Sequence, residues 1–275
     1  MIIDAHTHTY PETIAKRAIE KLEKNSGTKA HTNGVQSGLM ASMKEAGISY
    51  SLLLPVATSK KQVETINEVA AETNEKASET GILSFGGIHP DTENVSEVLH
   101  RIKALGLKGI KLHPDYQEMF FNDIRYKGIV SKETELGLYI TVHAGVDIGL
   151  PNPVHCTPDH VLEVLKDTES DHLILAHMGG WRLWPEVKEK LMGKHLYFDT
   201  SFSGDYLLRD GVEGMLSKEA FVDLIHAMGS DYVLFGTDSP WSSQKESVSW
   251  FMETDLTETE KEQILSGNFI RIIGI

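Results

Sequence analysis

Eight short runs of apolar and β-branched residues punctuate the chain, at 1–6, 48–55, 82–88, 107–113, 138–143, 172–177, 195–199 and 231–237. Most are near-continuously hydrophobic rather than alternating, as strands buried on both faces of a parallel sheet are. Helical patterns lie between them. Val63, Ile66, Val69 and Ala70 share one face of a predicted helix over 59–79, and Val98, Leu99, Ile102 and Leu105 do so over 95–105. A third helix, over 157–167, has Thr157 placed to cap it, Pro158 in its first turn and a stripe of Val161, Leu162, Val164 and Leu165. Gly47, Gly81, Gly106 and Gly137 stand where helices should stop. Eight strand units alternating with helices in 275 residues predict an α/β fold, a (β/α)8 TIM barrel. A doubly wound open sheet is the alternative, disfavoured by the count of eight and by the missing Gly-rich dinucleotide fingerprint.

The first connection, roughly 9–47, is long and carries two helical patterns, 11–24 and 35–46, punctuated by Asn25-Ser26-Gly27 and Asn33-Gly34. This helical insertion after strand one suits a lid or specificity element, or a structural extension. No internal repeat or low-complexity linker interrupts the chain, so one domain over 1–275 is expected. A net charge of −14 counts against nucleic acid and anionic membranes as partners, but not against a small anionic substrate. No apolar stretch approaches the ~18 residues of a membrane span, and no basic segment leads into a signal-type apolar core. The single cysteine, Cys156, excludes an internal disulfide framework and suits a cytoplasmic location.

Chemistry-bearing residues fall at the ends of these strands. In Met1-Ile-Ile-Asp4-Ala-His6-Thr-His8, alternate residues of a strand share a side, so Asp4, His6 and His8 are expected to project together. Two adjacent imidazoles make a poor core and a good hold on a divalent ion. His143 closes strand five, His177 strand six and Asp238 strand eight. In a barrel these ends converge on one mouth, the catalytic face. Singly, each has a plainer reading: His143 and His177 as satisfied core histidines, Asp238 as a cap before Ser239-Pro240. Four separate strands each ending in a ligand-type residue are harder to explain by packing. Imidazoles and a carboxylate without thiolate predict a catalytic metal site, with Zn²⁺ the first expectation and Mn²⁺, Fe²⁺ or Ni²⁺ the alternatives.

The segments Ile3-Asp4-Ala-His6-Thr-His8, Gly109-Ile-Lys111-Leu-His113-Pro114, Val142-His143-Ala-Gly145, Ala176-His177-Met-Gly179-Gly180 and Phe235-Gly-Thr-Asp238-Ser-Pro240 resemble the amidohydrolase superfamily. The branch they resemble contains aminocarboxymuconate semialdehyde decarboxylase-like proteins and amidohydrolase-related metal-dependent hydrolases. The tail, 264–275, is similar to that family's closing helix, so the likeness runs over nearly the whole chain. It is specific for fold and metal chemistry rather than for substrate. The resemblance implies that His6, His8, His143 and Asp238 hold one ion and that His177 stands beside it, at the substrate or the metal-bound water. It also implies that Asp238 accepts and passes on a proton. In binuclear members such as dihydroorotases a lysine at the end of strand four is carboxylated and bridges two ions. Lys111 stands in a similar context, and a binuclear site would add Lys111 and His177 to the ligands. One ion is the preferred reading, with Lys111 then facing a substrate carboxylate or Asp4.

Further candidates surround this set. His113 follows Lys111 by two and suits a substrate contact or a turn before Pro114. Arg182, between Trp181 and Trp184, suits a carboxylate held in an apolar pocket, or a surface loop over the barrel rim. Arg125 and His89 are weaker candidates of the same kind, Trp241 suits a pocket wall, and His155-Cys156 reads as a bystander. The tryptophans would suit an interface between copies as well as a pocket, which leaves a homo-oligomer open. The leading function is hydrolysis of an amide, cyclic amide, ester or lactone of a small molecule, possibly one bearing a carboxylate, by metal-activated water. The alternative is non-oxidative decarboxylation of an unsaturated or aromatic acid, and the third reading is a metal- or ligand-binding barrel without catalysis.

Overall fold

The computed structural model describes residues 1–275. Nine strand segments, all in parallel pairs, form the sheet: β1 (Ile3–Thr7), β2 (Tyr50–Leu53), β3 (Ile82–Ser84), β4 (Gly86–Gly87), β5 (Gly109–Leu112), β6 (Tyr139–Val142), β7 (Leu173–Leu175), β8 (Tyr197–Asp199) and β9 (Val233–Leu234). The hydrogen-bonded order is β1-β2-β3 and β4 through β9. Strand three of the sequence reading is therefore divided at Phe85, whose amide bonds to Leu53 O, so its upper half leaves β2 and pairs with β5. The ring closes where Ala5 N donates to Phe235 O at 2.8 Å and Thr7 bridges Ser239 in parallel. The result is the eight-unit TIM barrel that the apolar runs predict.

Strand alternation divides the core in two. In β7, Leu173 and Leu175 join a large cluster shared with the surrounding helices, whereas Ile174 joins a smaller one with Ile3, Ala5, Leu52, Leu234 and Phe85. Only the barrel interior lets β1 and β2 meet β7 in this way. Phe269 and Ile273 of the closing segment complete that inner cluster and plug it.

The helices follow their local signals. The insertion forms α1 (Glu12–Ser26) and α2 (Gln36–Ala46), each stopped by a left-handed glycine, Gly27 and Gly47. Next come α3 (Val63–Glu75), the short α4 (Ala77–Thr80), α5 (Val95–Ala104), α6 (Ile124–Leu136) and α7 (Pro158–Thr168), capped by Thr157. The rest are α8 (Trp184–Lys190), α9 (Lys218–Met228), α10 (Gln244–Met252), α11 (Glu258–Glu262) and α12 (Asn268–Ile272). The insertion reaches the mouth: α2 packs on α10, and His31 N donates to Pro240 O at 2.7 Å. No helix is long and apolar enough to cross a membrane.

Glu133 on α6 is fully buried, and neither carboxylate oxygen has a partner. Burial alone raises its carboxyl pKa well above the usual value. A raised folded pKa means that its contribution to stability is fully present below the unfolded value of about 4.3 and is lost as pH rises through the folded one. Glu133→Met is therefore expected to raise the thermal midpoint, by about 1–3 kcal/mol of relieved desolvation. The gain should be larger at pH 8 than at pH 5. Thermal melts of both chains at the two pH values check this, and a variant less stable at both would contradict it.

Candidate metal centre

A bulge in β1 decides which residues enter the mouth. Asp4 pairs with Ser51 and Thr7 with Leu53, so β1 carries one residue more than β2 across this stretch. The extra residue ends the simple alternation: Asp4 accepts from the His6 amide at 3.2 Å, but its carboxylate is otherwise engaged by Thr237 and Gln244 rather than by the His6 ring. Asp4 accepts from Gln244 Nε2 on α10 at 2.7 Å, from Thr237 N at 2.9 Å and from the Thr237 hydroxyl. It ties the segment before Asp238 to the first strand, and it is not a partner of Lys111. His6 turns to the mouth instead.

There His6 Nε2, His8 Nε2 and Asp238 Oδ1 close on one point. The two nitrogens are 3.2 Å apart, and Asp238 Oδ1 is 3.5 Å from the first and 3.2 Å from the second. Their outer nitrogens fix the tautomers. His6 Nδ1 lies 2.8 Å from Asp199 Oδ2, and His8 Nδ1 lies 3.0 Å from Leu54 O. Both of those partners accept only, so each Nδ1 carries the proton and each Nε2 presents a lone pair. Two lone pairs and a carboxylate oxygen facing one another repel unless a cation lies between them. Separations of 3.2–3.5 Å also match the edge of about 3.4 Å of a tetrahedral site with bonds of about 2.1 Å. The donor set fits a divalent transition ion.

The electrostatics agree. Burial, with the Lys111 charge adding, pushes the His6 pKa down to about 3, so the ring is neutral and ready to ligate. Burial acts to raise the Asp238 carboxyl, but the surrounding imidazoles of His8, His6 and His177 outweigh it and hold it below its usual value. Asp199 is likewise held low, burial being outweighed by His6. Lys111 is fully buried, its Nζ 3.3 Å from His6 Nε2, and burial brings its pKa down to about 8. Backbone strain is concentrated here: His177, Met178 and Asp238 have left-handed φ of 58°, 56° and 69°.

His143 and His177 form a second tier. His177 Nδ1 faces Ser201 O at 3.1 Å, which leaves its Nε2 to accept from His143 Nδ1 at 3.0 Å. His143 Nε2 is then a buried lone pair with no partner. His113 stacks on His143, with centroids 4.1 Å apart and planes 8° apart, and Asp147 lies near both. Imidazole ligates in its own plane, so the parallel rings of His113 and His143 do not aim their lone pairs at one ion.

The remaining candidates lie elsewhere. Trp181 is buried against Phe202, and exposed Arg182 lies over its ring at 4.1 Å while donating to Glu213 O at 2.7 Å. Neither Arg182 contact is made with one of the site histidines. Arg125 is paired with Asp91 and Asp123 on the surface. His89 accepts from Asp91 N in a turn. His155 bonds Asp115 at 2.9 Å, and Cys156 is buried with its thiol pKa pushed up by burial.

Sequence reading passed over Asp199, Ser201 and Asp147. Asp199 had a usable signal, since it ends a predicted strand as the metal candidates do. Its Oδ1 accepts from His177 N and Ser201 N, each at 3.0 Å, and from the Ser201 hydroxyl, so one carboxylate orients two site histidines.

Residues 3–275 match the family model described as Amidohydrolase (Amidohydro_2). A 107-residue stretch is 28% identical to a gamma-resorcylate decarboxylase of Polaromonas sp. (strain JS666), covering 35% of this chain and 32% of that enzyme. The chain thus matches about a third of that relative's length. A solved 2,6-dihydroxybenzoate decarboxylase with its substrate superposes with a TM-score of 0.73 at 17% identity, over 100% of this chain and 99% of that one. A dihydroxybenzoic acid decarboxylase of Polaromonas sp., with bound manganese and the inhibitor 2-nitroresorcinol, gives 0.68 at 16% identity, over 99% and 96%. These relatives are enzymes, as the strand-end residues led us to expect. They are decarboxylases, and this overturns the expectation of hydrolysis in favour of its stated alternative. Nor do they single out zinc, the recorded ion being manganese. Fold, motifs and the match over 3–275 lead to one conclusion: the chain belongs to the amidohydrolase family.

Proposed function

We propose that the protein is a metal-dependent, non-oxidative decarboxylase of a small aromatic acid. What carries this reading is the donor set of His6, His8 and Asp238 beside one buried cation, Lys111, in a chain whose curated relative is a decarboxylase. His6, His8 and Asp238 hold the ion, with His143, whose Nε2 is otherwise without a partner, as the fourth donor. A divalent ion there supplies a Lewis acid that anchors substrate oxygens and draws off charge. Lys111 Nζ, beside His6 Nε2, meets the substrate carboxylate. His177 stands beside these groups, held by Ser201 and itself holding the His143 ring in place. Asp238 turns Oδ1 to the histidines, leaving Oδ2 to take up a proton from solvent and pass it to the ring carbon that bears the carboxylate. The bond from that carbon to the carboxylate breaks, its electron pair stays with the ring, and carbon dioxide leaves. Water is not consumed. Manganese is the first ion to test, because a relative holds it, and zinc the second.

The metal-loaded full chain, given 2,6-dihydroxybenzoate and related aromatic acids in D2O, should release carbon dioxide and place deuterium on the ring carbon. Chelation should abolish both, and readdition of the ion should restore them. Products carrying oxygen from labelled water, or no carbon dioxide from any acid, would remove this reading.

A further inference from the structure

The mouth is poor in positive charge and rich in acceptors. Beyond the metal trio stand Asp147, on the loop after β6, and Asp115, on the loop after β5, both buried. Lys111 is buried beside His6, while Arg125 and Arg182 are engaged elsewhere. Asp147 is held in one orientation: Oδ1 accepts from Gly149 N and Leu150 N, each at 2.8 Å. Oδ2 is left 3.6 Å from His113 Nε2, beyond good hydrogen-bonding distance. His113 is itself clamped between His143 and Tyr116, whose rings lie 4.1 Å and 4.4 Å away. Burial first, then the Asp115 and Asp238 carboxylates, push the Asp147 pKa up to about 6. Burial and the charges of Asp147 and Asp238 raise the Tyr116 phenol in the same way.

A carboxylate with one oxygen fixed by two backbone amides and the other without a close protein donor can take a further hydrogen bond. We propose that Asp147 Oδ2 receives a hydroxyl or amino hydrogen of the substrate, so that the acid carries such a donor on its ring and no second carboxylate. This rests on the decarboxylase reading for the ring acid itself. A second carboxylate would face Asp147, Asp115 and Asp238 with no arginine to offset them. A hydroxyl or amino group meets the acceptor that the fold supplies.

The test is calorimetric binding to the manganese-loaded full chain, with benzoate, hydroxybenzoates, aminobenzoates and isophthalate as probes. Wild type should bind at least one hydroxy- or amino-acid about tenfold or more tightly than benzoate, and isophthalate no better than benzoate. Asp147→Asn keeps the side-chain shape and should keep its manganese. It should lose most of that preference while benzoate affinity stays put, and should bind isophthalate more tightly than wild type does. A companion Asp147→Ala variant with full metal content guards against an amide that still accepts. A preference that survives both substitutions, or wild type binding isophthalate as tightly as the hydroxy-acids, would overturn the assignment. The two readings fail separately: binding that depends on Asp147 without carbon dioxide release removes the reaction alone, and turnover with a preference indifferent to Asp147 removes this inference alone.

Discussion

Asp238→Asn is expected to lower carbon dioxide release by about 10²- to 10⁴-fold, the range a positioned proton donor supplies. The substitution preserves volume and leaves an oxygen that can face His8, now 3.2 Å from Asp238 Oδ1. It takes away the negative charge opposite two lone pairs and the oxygen that carries the proton. Two losses are therefore superposed, one in ion affinity and one in proton transfer. Measuring turnover at saturating manganese, with bound metal counted in the same sample, separates them. The rate should stay low when the site is full. A fully loaded Asp238→Asn variant working at close to the wild-type rate would show that the proton comes from elsewhere.

Asp199→Asn is expected to weaken ion binding by about 10- to 100-fold although Asp199 never touches the ion. The amides of His177 and Ser201 both donate to Asp199 Oδ1, so the oxygen of an asparagine is held at that position. Its nitrogen must then face His6 Nδ1, where Oδ2 stands 2.8 Å away in the native chain. A donor there moves the imidazole proton to Nε2 and removes the lone pair that the ion needs. Chelator-competition titration reads the affinity, and a thermal melt without metal checks that the fold has survived. Unchanged affinity would mean that His6 is fixed by Ser201, whose hydroxyl lies 3.0 Å from the same nitrogen.

The apolar runs made the barrel legible because a parallel strand buried on both faces leaves a local mark. His6, His8 and Asp238 were legible as a set because strand ends in a barrel share one rim. The bulge in β1 was not legible: a register shift depends on β2, and nothing in Asp4-Ala-His6 marks the extra residue. Asp4 therefore reads as a neighbour of His6 in the mouth and turns out to bind Thr237 and Gln244. Arg182 shows the opposite limit, since a loop arginine beside tryptophans looks the same in sequence whether its guanidinium faces a pocket or a carbonyl. Asp147 lay hidden because its role comes from two backbone amides and a histidine 34 residues earlier, a distance no local pattern spans.

The three donors that face one another come from distant parts of these 275 residues, with His6 and His8 in the first strand and Asp238 after the last. Synthesis proceeds from the first toward the last. Until the ribosome has delivered Asp238, the first strand offers two imidazoles with no carboxylate beside them and no Thr237 or Gln244 for Asp4 to grip. The nascent chain thus holds a histidine pair without its third donor, and the complete donor set arises only once the two distant segments have folded together.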